Sequence, residues 1–413
     1  MKKFLLLLIF PLLVGCALIE SESNEIAICS SLPLSHENPT RYISMSRAIE
    51  QAIEEKGTVT VGGKEYTLRY VSLDGATPER GAWDTGQEAR NARAAISEHD
   101  CVAYIGTFNS GAAKISMPIL NRVQMLMISP GNTYPGLTKP GTGIGDEPWI
   151  YSPLGPGKRN YCRVVPADDL QAPAAANYAA NTLEVKRVFI FHDTELYGRG
   201  LAEIFARAAV EEGLEVVAEP RGIDSRSLNA ASEAQTILAT NPDLVYFGGE
   251  VGNKPGAILR ALRERGYTGY FMGADAIAED AFLEQAQVRS DDDKVFATLV
   301  GLPLDQLSGA GAEWRTRYLQ RYDDIDPFAA PSYEAAQVVI QALERVPATD
   351  RIGDAFITHV RLELLREIKA TRDYQGVLGQ WSFDENCDTT DTTISMNQAQ
   401  GGSFQFVDLV RGE

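Results

Sequence analysis

Short apolar runs alternate with amphipathic helical segments along this chain, and the pattern is passed through twice. In the first pass, strands are predicted at residues 26–32, 68–73, 101–106 and 125–129. The second pass predicts strands at residues 188–192, 214–218, 244–247, 270–273 and 295–299. Further helices are predicted near 312–322, 333–345 and 354–370, and short strands at 379–383 and 404–409. Such alternation predicts parallel sheets covered by helices on both faces.

The length of the chain indicates that the two passes form two separate lobes. The 413 residues are too many for one hydrophobic core. We therefore predict an α/β fold with two Rossmann-like lobes, a cleft between them and three crossover segments near 163–166, 298–303 and 376–380. The expected N-terminal lobe is 25–163 plus 301–376, and the expected C-terminal lobe is 164–300 plus 377–413. Residues 139–161, rich in glycine and proline, interrupt the pattern and predict a loop.

The first residues are typical of an export signal. Two lysines precede an apolar run at 4–14, which is short for a membrane span. Leu13-Val14-Gly15-Cys16 also matches the bacterial lipobox. We expect a lipoprotein signal peptide over 1–16, lipid on Cys16 and a tether over 17–24. The alternative is an ordinary signal with a chance cysteine. The expected location is extracytoplasmic, in the cell envelope, with the lipid as the sole membrane attachment.

Charge and cysteine content exclude some classes of partner and site. The net charge of −18 disfavours nucleic acids and anionic membrane surfaces as partners. The four remaining cysteines allow three disulfide pairings that the sequence does not distinguish. Cys29 and Cys101 lie in apolar runs, where buried free thiols are the simplest interpretation. With no C-x-x-C pair and scattered histidines, neither a metal nor another cofactor is predicted.

Polar residues follow the predicted strands at what should be one edge of each sheet. In the first pass these are Ser110 and Thr133, and in the second they are Tyr197 and Asp275. Open α/β sheets bind ligands at this edge, where free backbone N–H groups favour an anion such as a carboxylate. Each residue also has a purely structural interpretation, as a helix cap, a turn residue or a packing residue. Motifs of hydrolases and nucleotide-binding enzymes are missing from the sequence, although catalytic residues need not be adjacent in a sequence. We predict a protein that binds its ligand without turnover, not an enzyme.

Four motifs occur in order along the chain: Ser129-Pro-Gly-Asn-Thr133-x-Pro-x-Leu-Thr138, His192-Asp193-x-x-x-Tyr197-Gly-x-Gly200, Pro242-Asp243-x-Val245-x-x-Gly248-Gly249 and Gly376-x-x-Gly379-x-x-x-Phe383-Asp384. Together they resemble the leucine/isoleucine/valine-binding proteins of bacterial ABC importers, which are type I periplasmic binding proteins. The resemblance implies that Ser110 and Thr133, with the backbone of Gly131 and Asn132, hold the carboxylate of an amino acid. It also implies that Asp275 holds the ammonium group and that Tyr197 closes on the ligand from the second lobe.

Some positions depart from the pattern of the family. Asp275 stands where a glutamate is usual, and Glu250 stands where leucine-binding members tend to carry an aromatic residue. A carboxylate facing the cleft would favour a polar, hydroxylated or basic ligand side chain over leucine, unless Glu250 points to solvent. Tyr42 and Phe328 match positions that line the side-chain pocket. The early disulfide of the family has no counterpart, since residues 74–79 and 107–110 lack cysteine.

The combined expectation is a lipid-anchored solute receptor that captures an amino acid by lobe closure and delivers it to an ABC permease. Other interpretations stay open: a receptor for an amide, urea or an aromatic acid, a sensory module, or a hydrolase whose catalytic residues are not evident from the sequence.

Overall fold

The computed structural model describes residues 24–289 and 292–411, and it contains two α/β units. The predicted two-lobed fold is confirmed. We call the unit built on the sheet of residues 25–163 the first lobe and the unit built on the other large sheet the second lobe. The signal peptide, the lipidation site Cys16 and all but the last residue of the tether lie outside the described residues.

The strands of the first lobe are β1 Glu25–Leu32, β2 Thr58–Val61, β3 Lys64–Asp74, β4 Ala76–Thr77, β5 Ala82–Trp83, β6 Ala103–Gly106, β7 Leu126–Ser129 and β8 Tyr161–Arg163. Its large sheet, as far as the structure describes it, has the order β2-β3-β1-β6-β7-β8. Within this sheet only β2 and β3 pair antiparallel, and β4 and β5 form a separate antiparallel pair. Strand β1 is buried along nearly its whole length, as expected for a strand covered on both faces.

The strands of the second half of the chain are β9 Arg187–His192, β10 Glu215–Val216, β11 Arg221–Gly222, β12 Leu244–Gly248, β13 Tyr270–Gly273, β14 Val295–Val300, β15 Tyr374–Gly376, β16 Gly379–Trp381, β17 Ile394–Gln400 and β18 Ser403–Val410. The sheet of the second lobe has the order β10-β9-β12-β13-β14-β17-β18, with β11 also paired to β9. Strands β9 to β14 are parallel, whereas β17 and β18 return antiparallel.

The helices are α1 Thr40–Lys56, α2 Thr85–Ser97, α3 Ser110–Asn121, α4 Asp168–Asn181, α5 Leu196–Glu211, α6 Ala230–Leu238, α7 Pro255–Glu264, α8 Asp280–Ala286, α9 Ala310–Arg321, α10 Ala329–Leu343 and α11 Gly353–Lys369. Helices α4 to α8 pack in the second lobe, and α10 and α11 return to pack in the first. Helix α1 buries the apolar face that its spacing predicts, including Ala48 and Ile49.

The third crossover differs from the prediction. Residues 376–380 form the turn of the β15–β16 hairpin, which packs against α10 in the first lobe. The buried carboxylate of Glu334 on α10 accepts hydrogen bonds from Val377 N at 2.8 Å and from Trp381 Nε1 at 2.7 Å. The chain therefore joins the second sheet only at β17. Residues 149–151 and 156–158 form short 3₁₀ turns inside the predicted loop.

The cysteines form two disulfides, Cys29–Cys101 and Cys162–Cys387. The interpretation of Cys29 and Cys101 as free thiols is wrong, because β1 lies beside β6 and brings their Cα atoms to 5.8 Å. The second disulfide joins β8 to the segment that leads into β17. Among residues 24–289 and 292–411, no helix has the length and apolarity needed to cross a bilayer.

Candidate functional site

Two neighbouring parallel strands of the first lobe end at the candidate site. Strand β6 leads through Phe108 to Ser110, the first residue of α3, and β7 leads to Gly131. The cap position of α3 is occupied by Asn109, not by Ser110 as the sequence suggested, and Asn109 makes no side-chain capping bond. Ser110 and Gly131 both border one enclosed cavity. A hydroxyl residue after β6 and the turn after β7 therefore lie side by side at this cavity.

The turn after β7 is held by hydrogen bonds of its own residues. The hydroxyl of Ser129 accepts from the N–H groups of Gly131 at 3.1 Å and Asn132 at 2.8 Å. The side chain of Asn132 donates to Phe108 O at 2.7 Å and accepts from the Tyr161 hydroxyl at 3.0 Å. Asn132 therefore stabilises the turn and does not border the cavity, whereas its backbone was expected to bind the ligand.

A fully buried arginine fixes this turn to the crossover. Arg163 pairs with Asp388 at 2.7 Å and donates to the carbonyls of Asn132 at 3.2 Å and Tyr134 at 3.0 Å. Its remaining contact is a donation to the Thr138 hydroxyl. Burial of an arginine is tolerated only when its donors are satisfied, as they are here. Thr133 is thereby held between two carbonyls that Arg163 binds.

The second lobe contributes a tyrosine and an aspartate that bind each other. Tyr197, at the start of α5, donates its hydroxyl to Asp275 Oδ1 at 2.7 Å. Gln171 Nε2 on α4 donates to the same oxygen at 3.1 Å. Asp275 follows β13 and is 1% exposed. Burial raises the pKa of its carboxyl, while the bonds from Tyr197 and Gln171 act in the opposite direction.

Two glycines allow the start of α5 to approach the end of β12. A Cβ on Gly198 would lie 2.4 Å from Gly248 O, and a Cβ on Gly248 would lie 2.3 Å from Gly198 O. Neither position can carry a side chain at this separation. The Gly-Gly pair after β12 and the Tyr-Gly pair of α5 thus fit together, which brings Tyr197 and Glu250 to the same side of the sheet.

The cavity is small, with a volume of about 10 Å³. Its walls come from both lobes, and the residues that border it are Phe108, Ser110, Gly131, Tyr197, Glu250, Asp275 and Ala276. Five of the nine residues expected to bind ligand thus border one cavity. Thr133 is buried but is not among the residues that border the cavity, and its side chain lies near the carboxyl of Asp168.

Tyr42 and Phe328 stand behind the wall of the cavity. Phe108 makes edge contacts with Tyr42 at 5.4 Å and with Phe328 at 5.0 Å between ring centroids. The guanidinium of Arg41 lies 5.4 Å from the centroid of Phe108 and 5.3 Å from that of Phe328. An aromatic cluster holding a cation is a stable arrangement in a buried setting. Tyr42 and Phe328 therefore support Phe108 without bordering the cavity themselves.

Arg41 also joins the two lobes. From α1 it pairs with Asp326 at 3.1 Å and donates to the carbonyls of Ala276 at 3.3 Å and Asp275 at 3.4 Å. Its Nη2 lies 3.8 Å from Glu279 Oε2. The residue is 3% exposed. The sequence carried no signal for this role, because an arginine near the start of a helix is commonly a solvent-exposed residue.

Glu250 points into the cleft and is partly exposed there. Its Oε1 accepts from Asn109 Nδ2, across the lobes, at 2.6 Å. Asp193, at the end of β9, accepts from Glu250 N at 3.0 Å and from Asn253 Nδ2 at 2.9 Å. Burial, followed by the charges of Asp193 and Glu195, raises the pKa of Glu250 to about 8. Burial likewise raises the pKa of Asp193 to about 7.

Glu250 also borders a second, larger space. This is an open groove with a volume of about 630 Å³, and the charged and aromatic residues that border it include His36, Arg80, Trp83, Glu195 and Arg226. The groove lies between segments of both lobes, as the enclosed cavity does. Glu250 thus stands at the junction of a small enclosed cavity and a wide polar groove.

The site can bind both ends of a small polar molecule. The hydroxyl of Ser110 lies on the first lobe, and the carboxylates of Glu250 and Asp275 lie on the second. In the described ranges, no group of three or more His, Cys, Asp or Glu residues could hold a metal ion. Phe108 and Asn109 were missed as site residues, although both lie inside the stretch beside Ser110 that the sequence singled out.

The family model for periplasmic binding proteins matches residues 39–403. The chain belongs to this family. As a periplasmic binding protein it is a solute-binding protein and not an enzyme. It is 26% identical over 293 residues to a leucine-specific-binding protein of Salmonella typhimurium, covering 70% of each chain. It is 27% identical over 186 residues to an amino acid binding protein of Pseudomonas aeruginosa, so that the alignment spans 45% of either chain.

Solved structures share the fold of this periplasmic binding protein. The crystal structure of a leucine binding protein, LivK, from Thermotoga maritima superposes with a TM-score of 0.77. The superposition covers 93% of this chain and 98% of that one at 24% identity. The predicted resemblance to the leucine/isoleucine/valine-binding proteins is confirmed at the level of family and fold.

Proposed function

We propose that this protein captures an amino acid in the cleft between its lobes. The observation that carries the proposal is the single cavity bordered by Ser110 and Gly131 from one lobe and by Tyr197 and Asp275 from the other. An amino acid needs donors for its carboxylate and an anion for its ammonium group. Charge-assisted hydrogen bonds of both kinds are strong in a site from which water is excluded. The names of the relatives support the same ligand class.

Closure of the lobes is the proposed mechanism of capture. A ligand held from both sides makes its full set of contacts only when the lobes are together, so it binds the closed form better than the open form. The closed form is then the one presented to a membrane permease. The division of the chain into lobes is part of this proposal, with the third boundary moved to the segment between the β15–β16 hairpin and β17.

A thermal-shift screen of the amino acids tests the proposal directly. A ligand that binds the folded state raises the melting temperature. The matched controls for L-leucine are 4-methylpentanoate, which lacks the ammonium group, and 3-methylbutylamine, which lacks the carboxylate. An amino acid should give a larger shift than either analogue. Shifts with urea, amides or benzoate, and none with amino acids, would instead support a receptor for those solutes.

Glu250 sets the proposed class of side chain. Its carboxyl faces the cavity next to Asp193 and accepts a hydrogen bond from Asn109, and a purely aliphatic side chain would cover this carboxyl without offering it a further donor. We therefore infer a side chain with a hydrogen-bond donor, either hydroxylated or basic. L-threonine should bind more tightly than L-valine, or L-lysine more tightly than L-norleucine, when measured by calorimetry. Glu250→Leu should reverse the preference, and tighter binding of valine and norleucine to the wild-type protein contradicts the inference.

Lipid attachment and importer coupling complete the proposal. The lipobox at Leu13-Val14-Gly15-Cys16 supports an anchored receptor on the extracytoplasmic side of a membrane, and the family supports delivery to an ABC permease. Cys16→Ser should release the protein from the membrane fraction of cells into the soluble extract. Deletion of the receptor should abolish uptake of the labelled amino acid. Retention of Cys16→Ser in the membrane fraction contradicts the lipid anchor.

A further inference from the structure

The loop of residues 139–161 exposes a cluster of large apolar side chains. Trp149, Ile150 and Leu154 are 39%, 53% and 48% exposed. None of the three borders the cavity or the groove described above. Single exposed apolar residues are ordinary, whereas several close together indicate a surface that contacts a partner or a membrane. We name these three residues the apolar patch.

The turn that carries the patch is held by a buried carboxylate. Glu147 accepts hydrogen bonds from the Tyr134 hydroxyl at 2.9 Å and from Ile144 N at 2.8 Å. Its other oxygen pairs with Lys114 Nζ at 3.1 Å. The short 3₁₀ turn Trp149–Tyr151, which follows directly, packs against α3. The apolar side chains are therefore exposed by a turn with a fixed shape.

The patch lies at the edge of the first sheet where the chain enters it. Asn121, the last residue of α3, accepts from Leu154 N at 3.1 Å and donates to Lys158 O at 2.7 Å. Strands β1, β6, β7 and β8 run parallel, so Lys158, shortly before β8, and Glu25, at the start of β1, lie at the same edge. Two strands separate β1 from β8, which places them about 14 Å apart.

The proposed lipid anchor reaches the described chain at this same edge. Residues 17–24 span at most about 28 Å even when fully extended. Lipid on Cys16 would therefore keep the start of β1, and the patch near it, close to the bilayer surface. A short tether gives a weak contact a high effective concentration. The patch can then be occupied even though it is too small to hold the protein at a membrane by itself.

Cations stand beside the patch, although the chain as a whole carries a net charge of −18. The guanidinium of Arg159 lies 5.4 Å from the centroid of the Trp149 ring. Lys369 donates to the carbonyl of Arg159. Burial, and then the charges of Arg159 and Lys158, lower the pKa of Lys369, which shows that the three cations are close together. The acidic side chains near Arg159 are those of Asp388, Asp384 and Glu385. Tryptophan and aliphatic side chains beside lysine and arginine are typical of surfaces that lie in the headgroup region of a bilayer.

We propose that the apolar patch, with Lys158 beside it, contacts the surface of the lipid bilayer that carries the anchor. This inference rests on the lipid attachment in the proposed function, and it adds a second, weak attachment to the lipid. The contact turns the start of β1 toward the bilayer. The cleft, which lies at the opposite ends of the parallel strands, then faces away from the membrane and stays open to solute.

Fluorescence of the lipidated protein in vesicles tests the contact. The protein purified from membranes is reconstituted in vesicles of phosphatidylcholine and phosphatidylglycerol, with or without brominated phosphatidylcholine. Bromine quenches a tryptophan only at close contact, and subtracting the emission of Trp149→Phe isolates the signal of Trp149. We expect Trp149 to lose about half or more of its emission in the brominated vesicles, because a tryptophan ring at the membrane interface lies at the level of the headgroups. The tryptophans left in Trp149→Phe should show little quenching.

Ile150→Asp should remove most of the quenching of Trp149, because a carboxylate in the patch opposes contact with lipid. Ile352→Asp is the matched control, since Ile352 is 66% exposed directly before α11, and it should leave the quenching unchanged. Mass spectrometry reports the lipid on Cys16. A lipidated wild-type protein whose Trp149 is not quenched overturns the membrane contact alone, and loss of uptake in Ile150→Asp would then assign the patch to the permease. A wild-type protein without lipid contradicts the anchor of the proposed function, and the bilayer contact with it.

Discussion

Replacing Asp275 by asparagine removes the charge at the proposed ammonium site and leaves its shape unchanged. Asparagine keeps one oxygen that can accept the hydrogen bond from Tyr197, now 2.7 Å long. Asp275 is 1% exposed, so its charge is barely screened by solvent. Removal of one partner from a buried ion pair typically costs about 3–5 kcal/mol. At about 1.4 kcal/mol for each tenfold change, the affinity should fall about 10²- to 4 × 10³-fold.

Titration calorimetry at pH 7 with the amino acid that gives the largest thermal shift measures the loss. Asp280→Asn is the matched control, because Asp280 is exposed at the start of α8, five residues farther along the chain. Its affinity should equal that of the wild-type protein. A loss of less than about fivefold for Asp275→Asn would refute the assignment of the ammonium group to this carboxylate, since such a loss is below about 1 kcal/mol.

Three further changes have clear expected outcomes. Tyr197→Phe removes the hydroxyl that orients Asp275, and calorimetry should show an affinity about tenfold lower, in line with the cost of a hydrogen bond to a charged group. Because the pKa of Glu250 is about 8 in the folded protein, folding takes up a proton above the ordinary pKa of a glutamate. The melting temperature should therefore decrease between pH 5 and pH 8, and Glu250→Gln should reduce that decrease. Cys162→Ser combined with Cys387→Ser should lower the free energy of unfolding by about 2–5 kcal/mol in denaturant titrations.

The fold was predictable because the sequence patterns that indicate its strands and helices are local and occur in both lobes. Parallel strands buried on both faces give near-continuous apolar runs, and the helices between them give a clear 3.6-residue period. The failures lie where local signals are weak. Strand β2 is a short edge strand, α6 and α8 have nine and seven residues, and β17 contains polar residues such as Asn397. Pairing with neighbouring strands, rather than local sequence, makes β17 a strand.

The site was predictable to the extent that it follows from topology. Ser110, Tyr197 and Asp275 meet because the carboxyl ends of parallel strands in the two lobes face the same cleft. Asn132 also follows a parallel strand, but it does not border the cavity, and its N–H is bonded to the Ser129 hydroxyl. Arg41 could not be found this way. An arginine near the start of a helix is commonly exposed, and only the packing around it reveals its contacts with both lobes.

The contacts that join the lobes explain why a ligand with two charged ends is needed for capture. Arg41 donates across the cleft to Asp275 O and Ala276 O at 3.4 and 3.3 Å, which are long for hydrogen bonds, and Asn109 donates to Glu250. Moving a population from mostly open to mostly closed requires about 5.5 kcal/mol of preferential binding. A charge-assisted bond contributes about 1.5–3 kcal/mol, so one such bond is insufficient, and two reach the required value only when both are near the upper end of that range. A molecule that lacks either charged group would therefore occupy one lobe without holding the other.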